Sequence, residues 1–146
     1  MRILFCTDGS EYSNNAIAKA LDIIDLKNFK IDILTVKAGV ETLPIEVTLN
    51  AEWLNTCIKE QDELAINAIN SAKDLIAKKD YLVDNTITLD GNASDEIIEY
   101  LKNDGISLIV MGSHGRSGFV EFIIGSTSKK VLEHAKIPVL IVPFKK

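Results

Sequence analysis

Cysteine and histidine are scarce, with two of each in 146 residues. Two cysteines, Cys6 and Cys57, are too few for a disulfide framework. Their apolar surroundings predict buried thiols in a reducing, cytoplasmic setting. With only His114 and His134 beside them, no Cys/His cluster has the spacing of a structural zinc site. Basic residues are in deficit: 16 Lys+Arg stand against 21 Asp+Glu, a net charge of −5. That balance argues against a coat on nucleic acid or on an anionic membrane, though not against one local anion site. Long apolar runs are lacking as well. None approaches the roughly 20 residues needed to cross a bilayer. The run Ile3–Cys6 falls short of the 7 or so apolar residues of a signal-peptide core, so the Asn92-Ala93-Ser94 sequon has no secretory context. No internal repeat or low-complexity stretch occurs. Neither the Walker G-x-x-x-x-G-K-[ST] nor the Rossmann G-x-G-x-x-G is present.

What is there reads as one domain over residues 1–146, since 47% of the chain is apolar and a second core would be too small. Ile3–Cys6 is a short apolar run of the kind buried on both faces of a sheet, ending at Thr7-Asp8-Gly9-Ser10. Ser10 is a candidate cap for a helix with Ala16, Ile17, Ala20, Leu21 and Ile24 on one stripe. Residues 31–36 form a second strand, and residues 38–49 read as a loop around Gly39 and Pro44. A long helix spans about 52–79, capped by Asn50, with Leu54, Cys57, Ile58 and Leu64 continuing the face of Ala65, Ala68, Ala72 and Ile76. Residues 81–89 read as a third strand near an edge. Ser94 is a candidate cap for a short helix bearing Ile97, Ile98 and Leu101, stopped by Gly105. A fourth strand covers 107–111, a helix covers 126–134 with Val131, Leu132 and Ala135 inward, and a fifth strand covers 139–142.

Strands alternating with helices imply an α/β fold: a doubly wound, Rossmann-like, five-stranded parallel sheet with helices on both faces. Such sheets bind ligands at the carboxyl ends of their strands, where the winding reverses. Two strand ends are dense in small and polar residues, Thr7–Ser10 and Met111–Gly118. An order of 3-2-1-4-5 would bring them into one crevice. Gly112, Gly115 and Gly118 permit close backbone approach and an anion-binding nest. Gly125-Ser126-Thr127 opens a helix whose first N–H groups lack intrahelical partners. These are ingredients of a polyphosphate cradle without a Walker lysine. Three glycines alone are equally compatible with a tight surface loop.

The spacing carries more than the glycines alone. Gly112-Ser113-His114-Gly115 is followed by nine residues and then Gly125-Ser126. This arrangement, the opening Ile3–Ser10 and the closing words Gly125–Leu132 and Pro138–Val142 resemble the nucleotide-binding type of the universal stress protein family over essentially the whole chain. The resemblance implies a site for ATP or a related adenine nucleotide. Asp8 and the backbone near Thr7 and Val36 would face the nucleoside. Met111, Gly112, His114, Gly115 and Arg116 would line the ribose and phosphate path, and Gly125, Ser126 and Thr127 would hold the phosphates. It further implies Mg²⁺ carried on the phosphates, little or no turnover, a homodimer through the last strand and a regulatory role with a protein partner. Cys6 and Thr127 depart from the residue types usual at those places.

Several residues keep two readings. Asp8 is a nucleoside contact or an anion at a helix start. His114 is a general base or a ring that packs on a nucleotide. Arg116, one of two arginines, reaches a phosphate or lies exposed. Trp53 is a lid or a packing residue at a helix start. Hydrolysis at a slow rate and a nucleotide-free interaction module are the competing functions. The charge is uneven: residues 1–110 carry a net −9 and residues 111–146 a net +4, so the basic excess falls on the glycine-bearing segment.

Overall fold

The computed structural model describes residues 1–103, 105–114 and 124–144. Five strands, β1 (Arg2–Cys6), β2 (Lys30–Lys37), β3 (Asn85–Asp90), β4 (Ile106–Gly112) and β5 (Val139–Val142), form one sheet in the order β3-β2-β1-β4-β5. Every pairing is parallel. The helices are α1 (Glu11–Ile23), α2 (Ile45–Thr48), α3 (Ala51–Ala77), α4 (Ala93–Tyr100) and α5 (Ser126–His134). The expected strand order is thus the one observed, with β3 at an edge.

Alternation along the strands feeds two cores. Ile3 and Phe5 of β1, with Ile31 and Ile33 of β2, pack against Ala16, Ile17 and Ala20 of α1 and Ala72 and Ile76 of α3. Leu4 and Cys6, with Leu34 of β2 and Ile109 and Met111 of β4, pack against Ile97 of α4 and Val131 of α5. Right-handed crossovers that reverse direction across a sheet must change face, which accounts for this division of the helices. The reversal falls between β1 and β4, which pair as far as Phe5 and Val110.

The boundaries differ from the sequence reading in ways that have causes. Residues 38–49 are not one loop. They contain a 3-10 turn, Val40–Thr42, and the short α2. The third strand starts at Asn85 rather than residue 81, because Tyr81 turns its hydroxyl to Leu26 N (3.3 Å) and Asp84 accepts from Ile31 N at 2.8 Å. Asn92, not Ser94, caps α4: its Oδ1 accepts from Ser94 N (3.1 Å) and Asp95 N (3.4 Å). Leu132 faces solvent, since Ser128 and Val131 define the inward stripe of α5. Ser10 and Asn50 cap α1 and α3 as expected.

Helix α3 buries only Ala65, Ala68, Ala72 and Ile76. At 27 residues it is about 40 Å long, whereas the 8 residues of β2 extend about 26 Å. Its first half therefore overhangs the carboxyl end of the sheet. Ile58 and Leu64 are partly exposed and Cys57 only half-buried, contrary to the continuous inward face expected of them.

Asp32 is a charged residue inside β2, 2% exposed. It accepts from Arg2 Nη1 (2.5 Å) and Asn85 Nδ2 (2.9 Å). The carboxylate in turn holds the Arg2 guanidinium above its ordinary pKa. This pair closes the amino end of the sheet, away from the crevice.

Candidate functional site

A cavity of about 490 Å³ opens at the carboxyl ends of β1, β2 and β4. That size lies within the range of small-molecule sites. Thr7, Asp8, Val36, Met111, Gly112, His114, Gly125, Ser126 and Thr127 all line it. The remaining two predicted residues, Gly115 and Arg116, lie outside the described residues, as does Gly118. Trp53 does not line the cavity and is 52% exposed.

The floor is built by the turn after β1. Thr7 N continues the sheet to Leu34 O at 2.9 Å. Its hydroxyl accepts from Gly9 N (3.1 Å) and lies 3.1 Å from Ser13 Oγ. Asp8 Oδ1 accepts from Ser10 N at 3.0 Å, closing an Asx turn. Gly9 sits at φ +77°, and a Cβ there would stand 3.1 Å from Ala68 Cβ. The left-handed conformation and the approach of α3 both call for glycine. The turn therefore holds Asp8 at the cavity while α3 crosses directly over it.

The wall on the β4 side carries the anion-attracting groups. Gly125 N donates to Ser113 O at 2.7 Å, and Ser128 Oγ donates to Gly112 O at 2.8 Å. These two bonds lash the start of α5 to the end of β4. The N–H groups of Ser126, Thr127 and Ser128 fall in the first turn of α5 and have no helical acceptor. They and the helix dipole direct partial positive charge toward the cavity. His114 Nδ1 lies 3.0 Å from Ser113 Oγ, and its ring centroid is 5.6 Å from that of Tyr12. His114 Nε2 is buried and has no hydrogen-bond partner among the described residues. A buried polar atom in that state at a cavity wall suits a ligand or a water.

The opposite wall was not foreseen in the sequence. Ala38, Gln61 of α3, the turn Gly91-Asn92-Ala93 and Ile97 of α4 complete it. Lys37 ties this wall together: Nζ reaches Asp62 (2.7 Å) and Asp90 (3.0 Å), and the two carboxylates raise its pKa. No periodicity or motif marks these residues, because they meet only once α3 overhangs the sheet.

Cys6 and Leu34 form the apolar depth of the cavity. Burial pushes the Cys6 thiol up to about 12. An unfolded thiol ionises near 8.5, so this group favours the fold fully below about pH 8.5 and loses that contribution as pH climbs toward 12. Iodoacetamide at pH 8 should label the half-buried Cys57 and leave Cys6 at least about 1,000-fold slower, a difference that denaturant erases. Peptide mapping after timed labelling checks this; equal rates in the native protein would refute the buried, protonated thiol.

Comparison with known proteins agrees with this architecture. The Universal stress protein family model matches residues 1–143. Universal stress protein YxiE of Bacillus subtilis is 32% identical over 145 residues, covering 97% of each chain. The solved structure of MJ0577, a universal stress protein of Methanocaldococcus jannaschii, superposes with a TM-score of 0.81 at 28% identity, over 99% of this chain and 96% of that one. A universal stress protein solved in complex with cAMP shares the fold, with a TM-score of 0.58 and 24% identity over 98% and 96% of the two chains. Sequence match along the whole length and sheet order thus point the same way: the chain belongs to the universal stress protein family.

Proposed function

We propose that this protein binds ATP or a related adenine nucleotide and acts as a regulatory binder with little or no turnover. The observation that carries the reading is the convergence of the β1 turn, the end of β4 and the free N–H groups of α5 on one cavity. One end of that cavity is polar and rich in donors; the other is walled by Val36, Ala38 and Ile97. A phosphorylated ligand with a flat, largely apolar base matches both ends. A protein of the same fold solved with cAMP is consistent with this.

The phosphates would lie against the α5 start, with Ser126 and Thr127 hydroxyls as further donors and His114 beside them. Among the described residues no three His, Cys, Asp or Glu side chains gather. A divalent ion such as Mg²⁺ would therefore ride on the phosphates, where it neutralises charge. Phosphoryl transfer needs a positioned water and stabilisation of the developing charge. Asp8 Oδ1 is engaged with Ser10 N and His114 Nδ1 lies beside Ser113 Oγ, contacts that hold the two side chains in place and do not themselves position a water. Occupancy would be read by a protein partner or a second copy. Strand β5 pairs only with β4 among the described strands, so its outer edge is open to the same strand of another copy.

Mass spectrometry of small molecules released from freshly purified protein tests the reading. An adenine nucleotide at a substantial fraction of the protein is expected. Phosphate release at about 1 s⁻¹ or faster from added ATP would instead make the protein an enzyme of ordinary speed.

A further inference from the structure

We infer that Gln61, on the overhanging half of α3, reads the 6-amino edge of the purine and sets the base preference of the site. This rests on the nucleotide reading above. With phosphates at the α5 start, the base lies at the far end of the cavity, between Val36, Ala38 and Ile97. Two polar side chains line that end, Gln61 and Asn92. The carbonyl of Asn92 is occupied by α4, accepting from Ser94 N (3.1 Å), Ser94 Oγ (2.7 Å) and Asp95 N (3.4 Å). The carboxamide of Gln61 has no hydrogen-bond partner among the described residues. It is the side-chain acceptor left at this end for an exocyclic amine.

The chemistry fits one base edge in particular. A carboxamide presents an acceptor beside a donor. Adenine presents an amino donor beside a ring-nitrogen acceptor, and Gln or Asn pairs with both at once. A polar group built to receive such an edge is left unsatisfied by a base that lacks it, and that loss is the source of discrimination. The presenting backbone is also fixed. Asp62, the residue after Gln61, is held by Lys37 Nζ at 2.7 Å, and the same Nζ reaches Asp90 beside Gly91 at 3.0 Å. Gln61 is thereby set at the level of the Gly91-Asn92 turn across the base end.

A substitution cycle on the full chain tests this, with ATP and purine riboside triphosphate, which lacks the 6-amino group, as titrants in calorimetry. Wild type should bind ATP about five- to ten-fold more tightly than the purine analogue, the worth of one hydrogen bond. Gln61→Ala should bind the two within about two-fold of each other, by losing ATP affinity and not analogue affinity. Gln61→Glu keeps the acceptor for the amine and should retain part of the preference. Circular dichroism of Gln61→Ala should match wild type, since alanine suits a helix position. A preference that survives intact in Gln61→Ala overturns the inference while leaving nucleotide binding standing. Wild type that binds neither titrant overturns both.

Discussion

Gly112→Val is expected to lower the thermal midpoint by about 10 °C, a loss of about 3 kcal/mol for a chain of this length. A Cβ at Gly112 would stand 2.9 Å from Tyr12 O and 3.0 Å from Tyr12 C. Both are backbone atoms in the first turn of α1, so no rotamer change relieves the contact. Gly112 also pairs with Val142 in the sheet register and accepts from Ser128 Oγ at 2.8 Å. Moving it outward would disturb β5 and α5 together. Even Gly112→Ala meets the same two atoms and should lose a large part of that stability. Melting followed by circular dichroism reads the effect. A valine variant within 2 °C or so of wild type would show that α1 can retreat from β4, against the tight packing described above.

Ser126→Asp is expected to reduce ATP affinity about 100-fold while leaving the fold as stable as before. Ser126 is the first residue of α5, exposed and lining the cavity. A carboxylate in the first helical turn is favoured by the dipole, by about 0.3–1 kcal/mol, so the midpoint should hold or rise slightly. The same charge repels a polyphosphate a few ångströms away and competes for the free N–H groups. At an effective dielectric of about 20 one such pair at 4 Å is unfavourable by about 4 kcal/mol before screening. Ser126→Thr keeps the hydroxyl and should bind within a few-fold of wild type. Undiminished ATP binding by the aspartate variant would move the phosphates away from α5.

These two glycine and serine positions were legible in the sequence because each is marked locally. A glycine after an apolar strand and a serine opening a helix carry their chemistry in their neighbours. The sheet was legible for a similar reason: Ile3–Cys6 reads as buried on both faces and the fourth strand as strongly apolar, and burial on both faces requires helices above and below. The wall containing Ala38, Gln61 and Gly91-Asn92-Ala93 was not legible. Helical period tells which face of α3 is apolar, but not where the sheet beneath it ends. Ile58 and Leu64 share the stripe of Ala65 and Ala68 yet are 38% and 40% exposed. Asp32 was hidden for another reason. Its partners Arg2 and Asn85 are brought to it by sheet order, and a single carboxylate in an apolar run looks like any strand residue. Ser94 and Asn92 are both cap-forming residue types two positions apart, and the helix starts at Ala93, so the cap falls to Asn92.

The central claim is that the crevice between β1 and β4 holds an adenine nucleotide. Calorimetric titration of the full chain with ATP, with and without Mg²⁺, tests it most directly. The account predicts saturable binding of one ATP per chain with a roughly micromolar dissociation constant, about −8 kcal/mol, weakened about 100-fold in Ser126→Asp. No heat of binding at millimolar ATP, ADP, AMP or cyclic nucleotide, from protein shown free of retained ligand, would contradict it and leave a fold that serves interaction without a nucleotide.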